Sequence, residues 1–227
     1  MKSAVWTYSD CNLGDDIQTL ACIAYNKLVD PILIDRDNMQ EYKEEVELYC
    51  NGWLRIKDIH FPPPSNIHPI YQSIHVTIDS EFTPRVIEHF KKFEPIGCRD
   101  LYTLEKFSSL GIEAHYQECL TLYLPRPNIN RTNTIYVVDI RKLPLLTGFD
   151  GLVEFYSHNY WLLNKAYIMN NPQERLRLAR EVLIKYSTAK EVITGRLHAL
   201  LPCRAFNTPV TFLHHNLKDE RFSSYNC

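Results

Sequence analysis

A glycine, an arginine and a histidine follow one another closely at Gly195, Arg196 and His198, between the apolar segment "EVIT" and the helical segment "LHALLPCRAF". Glycine lets the backbone turn tightly or approach a ligand, and arginine offers a planar fork of donors that suits a carboxylate or a phosphate. Histidine exchanges a proton near neutral pH. These residue types in this order predict an anion-binding corner that carries an acid.

Two other turns of the chain combine glycine with charged residues. In "PIGCRD", Asp100 fits the N-cap position of the helix that follows, and Arg99 is expected to point outward. In "NLGDD", Gly14 permits close approach of a ligand, and Asp15 and Asp16 follow it. Each of these aspartates either caps the helix that begins there or acts on a substrate hydroxyl, with capping as the default interpretation.

Segments with strand-like and helix-like periodicity alternate along the chain, which is typical of an α/β fold with a mostly parallel sheet. "SAVWTYS" predicts a strand, and "IQTLACIAYNKL" predicts a helix because its apolar residues recur at helical spacing. In a parallel sheet, ligands collect beyond the carboxyl ends of the strands, where helix N-termini present unsatisfied N–H groups. The glycine-containing turns are therefore expected at such edges.

The segment "YLPRPNINRTN" interrupts this alternation with prolines and polar turn-forming residues. It predicts a boundary between two Rossmann-like lobes, residues 1–125 and residues 126–227. In the second lobe, Asn171 and Pro172 fit the N-cap and first position of a long helix. The charged run of that helix, "QERLRLAREVLIKY", is interpreted as a solvated face with internal salt bridges.

Composition narrows the class of protein. The chain has 227 residues with 45% hydrophobic content and a formal net charge of -2, which argues against a protein that coats nucleic acid or an anionic membrane. No signal-peptide pattern and no apolar run of roughly 20 residues is present, so we expect a cytoplasmic protein without a transmembrane segment. Its 7 cysteines lack a C-x-x-C pair, which predicts reduced thiols and no zinc site.

Three segments of the sequence, taken in order, resemble the hallmarks of the polysaccharide pyruvyl transferase family. They are "NLGDDIQTLA" near the start, "PIGCRDLYTLEKFSSLGI" in the middle and "ITGRLHALLPCRAFNTPVTFL" near the end. Each motif alone is weak, whereas the ordered set of three is fairly specific, and the resemblance covers most of the chain.

The resemblance implies a GT-B-like fold, in which two compact lobes face a cleft, and transfer of a pyruvyl group from phosphoenolpyruvate to a saccharide as a ketal. It associates the arginine of the G-x-R-D motif and the R-L-H motif with the donor, here Arg99 and Arg196–His198. Gly195 is placed with them as a donor-binding residue, and Arg99 and Arg196 are expected to face the cleft from opposite sides. Leu197 is carried over as the middle residue of the R-L-H motif.

The chemistry of the implied donor suits these residue types. Two arginines and a helix N-terminus would orient the carboxylate and phosphate of phosphoenolpyruvate, and they would stabilise the departing phosphate. His198 is the candidate general acid, and Asp15 or Asp16 is a candidate base for the acceptor hydroxyl. No step requires a metal or an organic cofactor, and the expected partners are phosphoenolpyruvate and a saccharide or glycan acceptor.

Two other functions stay open at this point. A nucleotide-sugar-dependent glycosyltransferase uses the same GT-B architecture, and a non-catalytic carbohydrate-binding relative would retain a sugar site without turnover. The remaining histidines, including those of "LHHN" at 213–216, form no convincing ligand cluster and are assigned no role. The aromatic run "FYSHNYW" at 155–161 is either a sugar-stacking surface or the outside of a lobe.

Overall fold

The computed structural model describes residues 1–56, 61–140 and 149–214. His215, Cys227 and the rest of the tail "KDERFSSYNC" lie outside the described residues, as does the part of the second predicted lobe beyond residue 214.

The described residues divide into two compact units. The first unit contains Met1–Tyr8 and Tyr25–Leu120, and the second contains Ser9–Ala24 together with the residues from Thr121 onward. Helix α1 (Leu13–Tyr25) therefore falls almost entirely in the second unit, although it connects two strands of the first. The independent lobes predicted at 1–125 and 126–227 stay a prediction.

The first unit is built on a six-stranded parallel sheet in the order β2-β1-β3-β4-β5-β6. Its strands are β1 (Lys2–Thr7), β2 (Ile32–Asp35), β3 (Val46–Trp53), β4 (Ile67–His75), β5 (Ile96–Cys98) and β6 (Ala114–Tyr116). Strand β3 has alternating buried and half-buried residues over most of its length, and this strand is absent from the elements recognised in the sequence.

Helices α2 (Pro84–Lys92) and α3 (Leu101–Ser109) belong to the first unit, and each begins at a side-chain cap. The Asp100 carboxylate accepts a hydrogen bond from the Thr103 N–H at 2.8 Å, which confirms the predicted N-cap. Phe90 of α2 packs against Phe107 of α3 with ring centroids 4.8 Å apart, edge to face. These contacts hold α3 and the turn before it in place.

The second unit is built on a four-stranded parallel sheet in the order β10-β9-β7-β8. Its strands are β7 (Thr134–Val138), β8 (Leu152–Tyr156), β9 (Glu191–Thr194) and β10 (Val210–Phe212), and its helices besides α1 are α4 (Pro172–Thr188) and α5 (Leu197–Ala205). The Asn171 side chain caps α4 by accepting from the Glu174 N–H at 3.1 Å, as predicted. The predicted α/β fold with parallel strands is confirmed in both units.

Three short 3-10 segments complete the described elements, at Arg36–Glu41, Leu120–Tyr123 and Ala166–Ile168. Among the described residues, none of the helices combines the length and the apolar character that crossing a membrane requires. The described cysteines, Cys11, Cys22, Cys50, Cys98, Cys119 and Cys203, are free thiols.

Candidate functional site

The carboxyl edge of the four-stranded sheet gathers polar residues from three adjacent strands. Strands β7, β8 and β9 end at the same level of the sheet, because Val138 of β7 is in register with Tyr156 of β8 and with Thr194 of β9. The next residues of these strands therefore emerge at one edge. They are Asp139 after β7, Ser157 and His158 after β8, and Gly195 and Arg196 after β9.

The Asp139 carboxylate lies at the centre of this edge. It accepts hydrogen bonds from Ser157 Oγ at 2.6 Å, from the His158 N–H at 3.0 Å and from Arg196 Nε at 2.7 Å. Burial acts to raise the pKa of Asp139, but these donors and the arginine charge outweigh it and hold the pKa below its usual value. Asp139 is therefore an anion at neutral pH that fixes the position of Arg196.

The Arg196 guanidinium is anchored at one end and accessible at the other. Its side chain is 44% exposed, and its backbone N–H donates to Thr194 Oγ1 at 2.9 Å. Among the described residues, the guanidinium makes its hydrogen bond through Nε. The two terminal nitrogens, Nη1 and Nη2, are therefore left for a ligand. Arg196 thus has the geometry of an oriented anion receptor.

Gly195 and Leu197 lie on either side of Arg196 and differ in their surroundings. A Cβ on Gly195 would meet the Leu213 carbonyl oxygen at 3.1 Å and Ile140 Cδ1 at 3.5 Å, so a larger residue would push this turn apart. Leu197 is 7% exposed and contributes its side chain to the interior. Direct contact of Gly195 or Leu197 with the donor stays a prediction.

His198 lies half-buried in the first turn of α5, beside the first turn of α1. A Cβ on Gly14 would lie 3.3 Å from His198 Cβ, 3.4 Å from His158 Nδ1 and 3.1 Å from Asn12 Oδ1. Glycine at position 14 therefore allows the two helix N-termini to approach closely. The fold brings together the "NLGDD" and R-L-H motifs, which lie far apart in sequence.

The start of α1 is held at this edge by backbone hydrogen bonds to the segment after β8. The Leu13 N–H donates to the His158 carbonyl at 2.8 Å, and the Tyr160 N–H donates to the Cys11 carbonyl at 3.0 Å. Asn12 Oδ1 accepts from the Gly14 N–H at 3.1 Å. Asn12 thus satisfies a backbone donor at the helix start, where the sequence suggested Asp15 or Asp16.

Asp16 makes a buried ion pair, in contrast to the capping role that is the default for its position. Its carboxylate accepts from Arg175 Nη2 at 3.0 Å and Nε at 3.1 Å, and from the Tyr160 hydroxyl at 2.5 Å. Asp16 is 1% exposed, and burial raises its pKa to about 6, although Arg175 and Tyr160 both act to lower it. Asp15 is also buried and accepts from the Asn12 and Gln18 amides.

The solvated helix face predicted for "QERLRLAREVLIKY" is wrong for Arg175. Arg175 is 0% exposed, and its Nη1 also donates to the Met169 carbonyl at 3.2 Å. The prediction holds for Arg177, which is exposed and forms ion pairs with Glu174 and Glu181 of the same helix. Arg175 is buried because a carboxylate of α1 pairs with it, and helical periodicity within α4 does not reveal such a partner.

His158 was assigned no role from the sequence, yet it lies in the middle of this cluster. It is 1% exposed, and its Nε2 shares a 2.6 Å hydrogen bond with the Tyr186 hydroxyl. Burial lowers its pKa to about 3, so the ring is neutral at neutral pH. The sequence contains one signal for this position. Asp139 and His158 each closely follow a strand-like segment, as Arg196 does, and residues that follow parallel strands meet at one edge of the sheet.

Arg99 belongs to the first unit, where it follows β5. The expectation that it points outward is wrong, since Arg99 is 3% exposed and its Nε lies 3.8 Å from Asp100 Oδ2. Asp100 also bonds His75 Nδ1 at 2.8 Å. Burial acts to raise the pKa of Asp100, but the bond and charge of His75 lower it overall. Arg99 is thus part of a buried charged cluster, and its donor-binding role stays a prediction.

No set of three or more histidine, cysteine, aspartate or glutamate residues within the described ranges is arranged to hold a metal ion. The site geometry rests on arginine, histidine, carboxylate and backbone groups.

Comparison with known proteins gives two findings and one negative result. The family model for polysaccharide pyruvyl transferase matches residues 12–216, which is most of the chain. A crystal structure of a functionally uncharacterised protein from Klebsiella pneumoniae subsp. pneumoniae is similar with a TM-score of 0.54 and 17% identity, covering 99% of this chain and 88% of that one. At this identity the likeness is one of fold. No curated protein matches the chain significantly.

Proposed function

Because the chain belongs to the polysaccharide pyruvyl transferase family, we propose that it transfers the pyruvyl group of phosphoenolpyruvate to saccharide hydroxyls as a ketal and releases phosphate. The observation that carries the proposal is the anchored guanidinium of Arg196, held through Nε by Asp139 beside His198 at the start of α5. An oriented arginine with accessible terminal nitrogens at a helix N-terminus suits a donor with both a carboxylate and a phosphate.

In the proposed reaction, His198 donates a proton to the methylene carbon of phosphoenolpyruvate, which makes the adjacent carbon electrophilic. Two sugar hydroxyls add to that carbon while its bond to the phosphate oxygen breaks. One hydroxyl proton passes through the catalytic base back to His198, and the other leaves with the phosphate. Arg196 and the N–H groups at the start of α5 would stabilise the negative charge that collects on the leaving phosphate.

Asp15 and Asp16 remain the candidates for accepting the acceptor hydroxyl proton. The ion pair between Asp16 and Arg175 supports a positioning role for Asp16, because its carboxylate is already committed to Arg175 and Tyr160. The Asp15 carboxylate accepts hydrogen bonds from the Asn12 and Gln18 amides beside His198, and we assign the base to Asp15.

Arg99, Gly195 and Leu197 complete the proposed donor site, and the GT-B-like arrangement of two lobes around a cleft is part of the same proposal. Replacing Arg99 with lysine tests its share, because lysine retains the charge while losing the planar fork of donors. The proposed role requires a weaker affinity for phosphoenolpyruvate in the folded fraction of this variant.

The direct test is incubation of the protein with phosphoenolpyruvate and a panel of hexose acceptors, with phosphate release and the mass gain of a ketal followed together. A thermal-shift panel with phosphoenolpyruvate, nucleotide sugars and free glycans distinguishes the alternatives. Stabilisation by nucleotide sugars alone would indicate a glycosyltransferase. Stabilisation by glycans without phosphate release would indicate a carbohydrate-binding relative.

A further inference from the structure

His158 is a buried histidine at the carboxyl edge of the four-stranded sheet, and the reaction described above gives it no role. It is the second residue after β8, and hydrogen bonds hold its backbone on both sides. The His158 N–H donates to Asp139 Oδ2 at 3.0 Å, and the His158 carbonyl accepts from the Leu13 N–H at 2.8 Å. The imidazole is therefore attached to a fixed point between the end of a strand and the start of α1.

The Tyr186 hydroxyl determines which ring nitrogen of His158 carries the proton. Tyr186 is 1% exposed, and its hydroxyl lies 2.6 Å from His158 Nε2, its one hydrogen-bond partner among the described residues. Burial raises the pKa of Tyr186 well above its ordinary value, so the hydroxyl keeps its proton and needs an acceptor. A neutral imidazole has one acceptor nitrogen and one donor nitrogen. Tyr186 therefore donates to Nε2, and the ring proton of His158 lies on Nδ1.

The Nδ1–H of His158 is thus a donor that the protein leaves unused. Nδ1 makes no hydrogen bond within the described ranges and is not one of their fully enclosed unsatisfied atoms, so solvent reaches it. Nδ1 faces position 14 of α1, where a Cβ on Gly14 would come within 3.4 Å of it. Because glycine has no side chain, an oxygen atom of a ligand can approach and accept this hydrogen bond.

This donor lies where the first turns of α1 and α5 meet. The Cβ position on Gly14 that approaches His158 Nδ1 is also 3.3 Å from His198 Cβ. Helix α5 begins at Arg196 without a side-chain cap, which leaves its N-terminus suited to an anion. The exposed guanidinium of Arg196 lies at the same edge of the sheet. The unused donor of His158 therefore belongs to an anion-binding site that already has a cation and a helix N-terminus.

From this geometry we propose that His158 binds the carboxylate of phosphoenolpyruvate through its Nδ1–H. The identity of the ligand rests on the proposed function, whereas the tautomer and the unused donor do not. A neutral donor suits the carboxylate, which keeps its charge from the donor to the ketal product. Arg196 and the start of α5 suit the phosphate, whose negative charge grows as it leaves. Tyr186 is a positioning residue that acts through His158.

The test observes the imidazole signals in long-range proton–nitrogen NMR spectra at neutral pH, which distinguish a protonated ring nitrogen from an unprotonated one. His158→Gln assigns the signals of His158, and the wild-type protein should carry the ring proton on Nδ1. Titration with pyruvate, which has the carboxylate but no phosphate, should shift the Nδ1 signal saturably. Inorganic phosphate should shift it less, and the signals of His115, exposed in the first unit, should stay unchanged with both probes.

Two replacements of His158 separate its two ring nitrogens. The amide nitrogen of asparagine lies near the position of Nδ1, and that of glutamine lies near the position of Nε2. His158→Gln should therefore weaken pyruvate and phosphoenolpyruvate binding by about tenfold, the loss expected for one hydrogen bond to a charged group. His158→Asn should retain most of the affinity, and His115→Gln, the matched control, should bind as the wild-type protein does.

Turnover gives a second readout that a merely structural role would not move. In His158→Gln the loss should appear in the KM for phosphoenolpyruvate, with kcat nearly unchanged, because the carboxylate is bound equally in the ground state and the transition state. His198→Gln is expected to lose kcat instead. The two histidines of the site are therefore distinguished by which kinetic constant changes.

The carboxylate site is overturned by a ring proton on Nε2 in the wild-type protein, or by an Nδ1 signal that phosphate moves and pyruvate does not. Wild-type pyruvate affinity in the folded fraction of His158→Gln would also overturn it. These outcomes are distinct from failure of the proposed function. Ketal formation with an Nδ1 signal that pyruvate leaves unmoved rejects the role of His158 alone. A pyruvate-dependent shift without any phosphate release from phosphoenolpyruvate rejects the pyruvyl transfer alone.

Discussion

At the scale of single residues, one carboxylate organises the candidate donor site. Asp139 bonds Arg196 through Nε and also bonds the backbone and hydroxyl of the segment after β8. An exposed arginine has many accessible rotamers, and ordering it at the moment of binding costs side-chain entropy. Asp139 reduces that cost in advance, so Arg196 is oriented before any ligand arrives.

The first prediction concerns donor affinity. Arg196→Ala should weaken phosphoenolpyruvate binding by about ten- to hundred-fold, which corresponds to the roughly 1.5–3 kcal/mol of a lost charge-assisted hydrogen bond. Calorimetric titration measures the affinity, and a melting curve checks that the variant is folded. Arg180→Ala, which removes an exposed arginine of α4, is the control and should bind the donor normally. Unchanged affinity in folded Arg196→Ala would falsify the assignment.

The second prediction separates binding from chemistry at His198. His198→Gln should keep most of the donor affinity but lose about 10²–10⁴-fold in kcat, the usual contribution of a general acid. Phosphate release under saturating phosphoenolpyruvate measures this loss. A purely structural histidine predicts the opposite pattern, in which the melting temperature falls and the folded fraction turns over normally.

At the scale of elements, the position of α1 depends on a buried ion pair with α4. Asp16 of α1 and Arg175 of α4 are both almost fully buried, and Tyr160 donates to the same carboxylate. The guanidinium carbon of Arg175 also lies 5.2 Å from the centroid of the Tyr160 ring. Together with the backbone hydrogen bonds to the segment after β8, the pair holds the first turn of α1, with Gly14 and Asp15, beside His198.

The third prediction compares two arginines of the same helix. Arg175→Ala leaves the Asp16 carboxylate buried without its cation and should reduce the free energy of unfolding by about 3–5 kcal/mol. Arg177→Ala removes two exposed ion pairs on the opposite face and should change stability little. Urea unfolding at neutral pH measures both variants. Equal losses in the two variants would show that the buried pair does not fix α1.

The double variant Asp16→Asn with Arg175→Ala extends this comparison. It removes the buried charge as well as its partner, so it should be more stable than Arg175→Ala alone. If the double variant is instead less stable by the sum of the two single losses, the residues act independently and the ion pair is not the cause.

At the scale of the whole molecule, a few buried groups set the response of stability to acid. Burial lowers the pKa of His158 to about 3 and that of His89 to about 4, both below the value near 6.5 of an unfolded histidine. Burial raises the pKa of Asp16 to about 6, above its unfolded value. Between pH 4 and pH 6, His158 and His89 are therefore mostly protonated in the unfolded chain and mostly neutral in the folded chain. Asp16 behaves in the opposite way, since it binds its proton more tightly in the folded chain.

The fourth prediction follows from that difference in bound protons. The unfolded state therefore binds more protons than the folded state in this range, so the free energy of unfolding should fall, by on the order of 1 kcal/mol per pH unit, as the pH decreases from 6 to 4. His158→Gln removes the contribution of one buried histidine and should make this slope shallower. Urea unfolding at several pH values measures it, and equal slopes in both proteins would contradict the burial of a neutral His158.

The sequence by itself determined the features that depend on neighbouring residues. Strand and helix periods predicted the parallel α/β fold, and Asp100 and Asn171 were correctly placed as N-caps because capping involves residues within one turn. The ordered motifs pointed to the family that the model match over residues 12–216 shows. The turn at Gly195 and Arg196 was expected beyond a strand end, and it lies there.

Only the tertiary structure decided which distant residues share a site. The assignment of α1 to the second unit, the burial of Arg175 and Arg99, and the central position of Asp139 all depend on contacts between segments that sequence spacing does not encode. A charged side chain is normally solvated, and it becomes buried only where a partner of opposite charge is brought to it. Asp16 meets Arg175 from 159 positions away, and local periodicity carries no information about such a partner.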